Sequence, residues 1–96
     1  MPKIYEYLGL IFFFYSNEHL PIHVHVSLAE FELKYEKGKI KDIVVQKVKA
    51  RKPLPVQETK EAIKFIKRYH EEIVEKWTKF FVQNKRVTCE VVNKKL

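Results

Sequence analysis

Cysteine, glycine and long apolar runs are all scarce in this chain of 96 residues. The one cysteine, Cys89, excludes a disulfide within the chain and is typical of proteins from reducing compartments. The longest apolar run, from Leu8 to Tyr15, spans eight residues, whereas a helix that crosses a membrane needs about 20. No small-residue cleavage pattern follows this run, so it does not resemble a signal peptide. We therefore expect a cytoplasmic protein with no membrane-spanning segment.

Apolar and aromatic residues are plentiful by contrast. They make up 46% and 14% of the chain, which suits a folded globular protein and excludes wholesale disorder. The length fits one domain, and neither an internal repeat nor a low-complexity linker divides the sequence. We therefore expect residues 1–96 to form a single domain.

The period of the apolar pattern changes once, near Pro53. Before that residue, short segments rich in β-branched and aromatic residues predict strands. These segments span residues 4–7, 10–15, 23–28, 30–35 and 40–48, with Gly9 at a bend and Gly38 in a hairpin connection. A further short strand is predicted at 87–92.

After Pro55, apolar residues recur every three or four positions, which is the spacing of one helix face. The stripe begins near Val56 and runs through Trp77 to Phe80, so it predicts one helix of about 25 residues. The whole pattern predicts an α+β fold. We expect a small antiparallel sheet of about five to six strands, packed against one long C-terminal helix, with a short terminal strand.

Positive charge is concentrated in the second part of the chain. The formal net charge of +7 divides into −3 for residues 1–33 and +10 for residues 34–96. The densest basic stretch is 34–55, where alternate bases of an extended chain share one side and can follow a phosphate backbone. Our candidate nucleic-acid contacts are Lys47, Lys49, Arg51 and Lys52. The alternative interpretation is a solvated edge strand that lysines protect from aggregation.

Three of the four histidines lie within seven residues: His19, His23 and His25. His23 and His25 share a face of the strand predicted there, and Glu18 is the only acid near them in sequence. Such a cluster has three interpretations. The imidazoles are structural or bind a partner; or two of them act as general base and general acid in metal-free RNA cleavage; or they bind a transition metal such as zinc.

Three further residues are predicted to belong to the core. Trp77 lies on the apolar helix stripe, and His70 lies beside it, where we expect a buried histidine with its hydrogen bonds satisfied. Cys89, in a predicted strand with no second cysteine, is expected to be a small core residue.

Several stretches resemble the bacterial domain-of-unknown-function 4160 family. Residues 17–25, Asn-Glu-His-Leu-Pro-Ile-His-Val-His, are similar to its hallmark, an Asn-acid-His turn followed by prolines and a His-x-His strand. Residues 29–33, Ala-Glu-Phe-Glu-Leu, are similar to the strand that follows, and the segment from Tyr69 to Trp77 resembles the family's helix motif. The resemblance covers roughly residues 1–80, with Ile22 where the family usually has a second proline.

Members of this family are typically encoded beside a second small protein, and such pairs are thought to be type II toxin–antitoxin systems. The resemblance therefore implies a toxin-like protein with a small acidic antitoxin-like partner, and it implies functional roles for His19, His23, His25 and, more distantly, His70. Our leading hypothesis is a toxin-like protein acting on RNA, a metal-independent ribonuclease without a cofactor whose catalytic residues are the first three of these. The alternatives are a non-catalytic protein-interaction module and a metal-binding domain.

Overall fold

The structure, a computed structural model, describes residues 3–15, 22–37, 43–48 and 52–93. It has an α+β fold with one mixed sheet and two helices. The strands are β1 (Lys3–Tyr7), β2 (Leu10–Phe13), β3 (His23–Leu28), β4 (Phe31–Lys37), β5 (Ile43–Lys47) and β6 (Glu90–Val92), and the helices are α1 (Val56–Arg68) and α2 (His70–Phe81). Each predicted strand is present, while Gly38 and residues 40–42 lie outside the described residues. No described helix is long and apolar enough to cross a membrane.

The strand order across the sheet is β5-β4-β3-β2-β1-β6. Neighbours from β1 to β5 are antiparallel, but β6 pairs parallel to β1, so the prediction of a wholly antiparallel sheet is wrong at this one strand. The reason is the connection. After β5 the chain passes through both helices before it re-enters the sheet beside β1, and such a long crossover permits parallel pairing, whereas a tight hairpin does not.

Two tight turns set the register of the central strands. The turn between β1 and β2 places Leu8 and Gly9 at φ values of 48° and 87°, and the turn between β3 and β4 places Ala29 at 52°. Positive φ at these positions matches the twist of two-residue hairpins, although only glycine adopts it without steric cost. The resulting register pairs Phe13 with His25, and His25 in turn with Lys34.

The predicted single helix is divided at Tyr69, whose backbone torsions of φ −107° and ψ 23° separate α1 from α2. The Tyr69 amide still donates to the Phe65 carbonyl, and the Tyr69 carbonyl accepts from the Ile73 amide, each at 2.9 Å. The break is therefore a change of torsion at one residue within a continuing hydrogen-bond ladder. The apolar spacing runs through it unaltered, so the sequence pattern does not reveal it.

Aromatic rings connect α1 to the sheet. The Phe65 ring lies 5.2 Å from that of Tyr5, 4.8 Å from that of Tyr7 and 4.6 Å from that of Phe12, measured between centroids. Trp77 of α2 is buried in the same apolar cluster, which confirms its predicted core position. Since Phe12 is on the opposite face of β2 from Phe13, the residues paired with Phe13 lie on the sheet face turned away from Phe65.

Candidate functional site

The register of β3 and β4 brings a histidine and a glutamate together. His25 is paired with Lys34, and Glu32 lies two residues from Lys34 on the same strand, so His25 and Glu32 are diagonal neighbours on one face of the sheet. The His25 Nδ1 atom lies 3.1 Å from the Glu32 Oε2 atom, and each side chain is only 3% exposed. A carboxylate accepts hydrogen bonds, so the tautomer of His25 that suits this contact has its N–H at Nδ1 and donates that hydrogen bond to Glu32.

Aromatic side chains surround this pair. The Tyr15 hydroxyl donates to Glu32 Oε2 at 3.2 Å, and the edge-to-face ring centroids of Tyr15 and His25 are 4.4 Å apart. The Phe13 ring stacks on the imidazole of His25 at 5.4 Å. The carboxylate thus receives donors from two side chains, and we refer to His25, Glu32 and Tyr15 as the buried triad. A buried charge is stable only with such hydrogen bonds.

His23 continues this face of β3 toward the end of α2. Its ring centroid lies 5.4 Å from that of His25, 6.4 Å from that of Phe14 and 6.0 Å from that of Phe81. The residue is 2% exposed, as is His25. The two described histidines of the cluster therefore lie side by side, as the strand period predicts, but in the interior of the protein and not on a solvated face.

The comparisons with known proteins place the chain in a family. The family model described as "Domain of unknown function (DUF4160)" matches residues 9–78, which cover β2 to β5, α1 and most of α2. The chain belongs to the DUF4160 family. No curated protein and no solved structure matches it. Membership confirms the resemblance that the histidine motif carried, and the family description assigns no activity.

The third member of the predicted catalytic set, His19, lies outside the described residues of this DUF4160 protein. Within the residues that the structure does describe, no group of three histidine, cysteine or acidic side chains is placed to hold a metal ion. The role of His19 in catalysis and the metal-binding interpretation of the whole cluster both stay predictions.

Of the four predicted nucleic-acid contacts, only Lys52 has a described side chain. Its ammonium lies 3.5 Å from the carboxylate of Glu30, with the two side chains 70% and 63% exposed, so the pair contributes little to stability. Lys47 is the last residue of β5. Lys49 and Arg51 lie outside the described residues, and a basic row along this segment stays a prediction.

His70 and Cys89 differ from their predicted environments. The Nε2 atom of His70, at the start of α2, is buried but has no hydrogen-bond partner among the described residues, so the prediction of a satisfied core histidine is wrong. Cys89 is exposed, because it lies just before the edge strand β6 and not in the interior of the sheet. Neither residue contacts the buried triad through any described hydrogen bond.

Two members of the buried triad escaped the sequence analysis. Among the predictions from the sequence, Glu18 is the only acid near the histidines, and Glu32 has no role. The signal that identifies Glu32 is the hairpin: with a two-residue turn at Ala29 and Glu30, position 25 lies diagonally across from position 32. Tyr15 follows the end of β2, and its distance of 17 residues from Glu32 gives no local signal.

Proposed function

We propose that this DUF4160 protein is a non-catalytic protein-interaction module whose histidine strand has a structural role. The observation that supports this proposal is the burial of His23 and His25, each 2% exposed, together with the hydrogen bond between His25 and Glu32. The two described residues with the greatest catalytic potential are parts of the packed interior.

Burial matters because acid–base cleavage of RNA requires direct contact. A general base must come within about 3 Å of the proton that it removes, directly or through one water molecule. The imidazoles of His23 and His25 meet Phe13, Phe14, Tyr15 and Phe81, and a ribose-phosphate chain cannot reach them without displacing these rings. A hydrogen-bonded, aromatic-lined interior is what a structural pair requires.

A metal-independent ribonuclease is the second candidate function. The geometry of the buried triad favours it in one respect, since a carboxylate that accepts from Nδ1 orients an imidazole and sets its tautomer, as in many catalytic histidines. The toxin-like role that the family resemblance implies would accompany such an activity. Equally, a toxin-like protein that acts by binding would need no catalytic histidine.

RNA cleavage by the purified full chain separates the two candidates. We expect no turnover of structured or single-stranded RNA in EDTA at any pH from 5 to 8. The decisive variant is His25→Asn, which keeps a donor near the position of Nδ1 but cannot titrate, and the matched control is His70→Asn, outside the triad. The proposal would be overturned if the His25→Asn chain lost an RNA-cleaving activity that the His70→Asn chain retained, provided that circular dichroism shows both chains to be folded.

A positive test uses the partner that the resemblance implies. The gene's neighbourhood is first searched for a small reading frame, and the product of any such frame is purified separately and mixed with the full chain. We expect a complex of fixed stoichiometry by light scattering and a raised melting temperature, because a ligand that binds only the folded state stabilises it. The His25→Asn variant should bind equally well if the triad serves only the fold. Failure of every such neighbour to bind would count against the interaction role.

A further inference from the structure

We propose that the edge of β1 is a docking site for an extended segment of a partner protein, and that residues 86–92, the β6 segment, occupy it in the partner's absence. This inference rests on the proposed interaction function and specifies the partner's chemistry. The docking segment runs parallel to β1 and carries an acidic side chain that pairs with Lys76.

The β6 segment is joined to the sheet by a short strand pairing. It pairs with β1 over three residues, from Tyr5 with Glu90 to Tyr7 with Val92. The side chains of Glu90 and Val91 are each 58% exposed, so the apolar burial of the segment comes from Val87 and Val92, which are only partly buried against the core. Strand addition to a sheet edge derives its affinity from main-chain hydrogen bonds, which any extended segment can supply.

Lys76 supplies the specificity of the site. This residue of α2 is 9% exposed, and its ammonium donates to the Thr88 carbonyl at 2.6 Å and lies 3.3 Å from the Glu90 carboxylate. It also lies 4.8 Å from the centre of the Tyr5 ring. A buried ammonium is costly unless it is paired, and its described polar partners both belong to the β6 segment. An occupant of this edge must therefore offer Lys76 a carbonyl and a carboxylate.

A half-open pocket adjoins the β6 segment. It has a volume of about 250 Å³, lies between the segment, β1 and α2, and is lined in part by Glu72, Arg86 and Thr88. The hydroxyl of Tyr5 in the cavity wall is buried and has no hydrogen-bond partner among the described residues. Burial, with the nearby carboxylates of Glu90 and Glu72, raises the pKa of this hydroxyl, so it stays protonated. A partner segment with a longer polar side chain would occupy this space better than the β6 segment.

Both strands of the site lie outside the part of the chain that the family model matches, which begins at residue 9 and ends at residue 78. The β1 strand ends at Tyr7, and β6 begins at Glu90. The docking edge is therefore inferred for this chain and not for the whole DUF4160 family.

The test uses the full chain and a fluorescein-labelled peptide of residues 84–93 with Cys89→Ser. The Glu90→Lys substitution in the full chain opposes Lys76 and should release the chain's own segment. The matched control is Glu75→Lys, since Glu75 lines the same cavity and is comparably exposed but pairs with Lys79. By fluorescence anisotropy we expect the Glu90→Lys chain to bind the peptide at least about tenfold more tightly than the wild type or the control, because a tethered competitor acts at a high effective concentration.

Two further measurements keep this proposal open to refutation. Binding to the Glu90→Lys chain should fall at least about tenfold when Lys76→Met is added, and a peptide that carries Glu90→Lys should not bind. The docking site is refuted if all chains bind the peptide equally, or if Lys76→Met leaves peptide binding unchanged. It is also refuted if light scattering shows a wild-type dimer that the Glu90→Lys chain does not form, because the edge would then bind a second copy of this chain. None of these results depends on RNA cleavage, so the proposed function and this inference fail separately.

Discussion

Replacing His25 with phenylalanine tests whether the buried triad stabilises the fold. The change keeps an aromatic ring between Phe13 and Tyr15 but removes the donor that lies 3.1 Å from the Glu32 carboxylate. Leaving a buried polar group short of a hydrogen-bond partner costs about 1–3 kcal/mol, and more when the group is a carboxylate, because its desolvation is no longer offset. A chain of this length has a stability of about 5–14 kcal/mol at the usual values per residue, so we expect His25→Phe to remove a large fraction of it.

Urea unfolding provides the measurement, and the chain carries a convenient probe. Trp77 is the only tryptophan in the sequence and is 5% exposed, so its fluorescence reports the loss of the core. With an m value of about 1–1.5 kcal/mol per molar urea, a loss of 3 kcal/mol lowers the unfolding midpoint by about 2–3 M. The matched control is His70→Phe, a histidine with no described carboxylate partner, which should cost about 1 kcal/mol or less.

The double variant His25→Phe with Glu32→Leu distinguishes a lost pair from a simple packing defect. Replacing both partners of a buried hydrogen bond with apolar residues of similar shape is often nearly neutral or stabilising, so the double variant should recover most of the stability that His25→Phe loses. The reasoning fails if His25→Phe costs less than about 1 kcal/mol, or if the double variant is no more stable than the single one.

Two further predictions concern the turn of the first hairpin and the alkaline limit of stability. Leu8→Asn should stabilise the protein by about 0.5–1 kcal/mol in thermal unfolding, because Leu8 is 50% exposed at a φ of 48° and Asn-Gly suits a two-residue turn; a loss of stability would contradict this. Burial raises the pKa of Tyr35 to about 12 from its ordinary value of 10. The folded state therefore holds this proton more tightly than the unfolded state, and the resulting stabilisation is complete below pH 10 and is lost as the pH rises from 10 to 12. Urea unfolding at pH 8 and pH 11.5 should therefore show a smaller alkaline loss for Tyr35→Phe than for the wild type, and equal losses would refute the assignment.

The strands were predictable because their signals are local. Alternating residues identify β3 between His23 and Leu28, and Gly9 marks the turn that precedes β2. The alternation of histidine with valine also shows correctly that His23 and His25 share a face. It does not show that this face is buried, because a period of two separates the faces of a strand without identifying which of them meets solvent.

The missed features depend on contacts between distant parts of the chain. The pairing of His25 with Glu32 requires the exact register of a hairpin, and the contact of Tyr15 with Glu32 adds a second strand. The parallel direction of β6 depends on the path through α1 and α2. The torsion break at Tyr69 leaves the apolar spacing intact, so no periodicity reveals it. In each case the local pattern is correct, but it contains no information about the tertiary arrangement.

The buried triad also changes what the family resemblance means. Residues 17–25 and residues 29–33 resemble separate motifs of DUF4160, and His25 belongs to the first while Glu32 belongs to the second. The structure joins these two residues by one hydrogen bond across the β3–β4 hairpin. Two motifs that hold the ends of one buried interaction would recur together wherever this hairpin forms, whatever the protein does. If the interaction role proposed above is correct, the histidine motif serves this hairpin, and the edge of β1 is the first part of the surface at which to test for a partner.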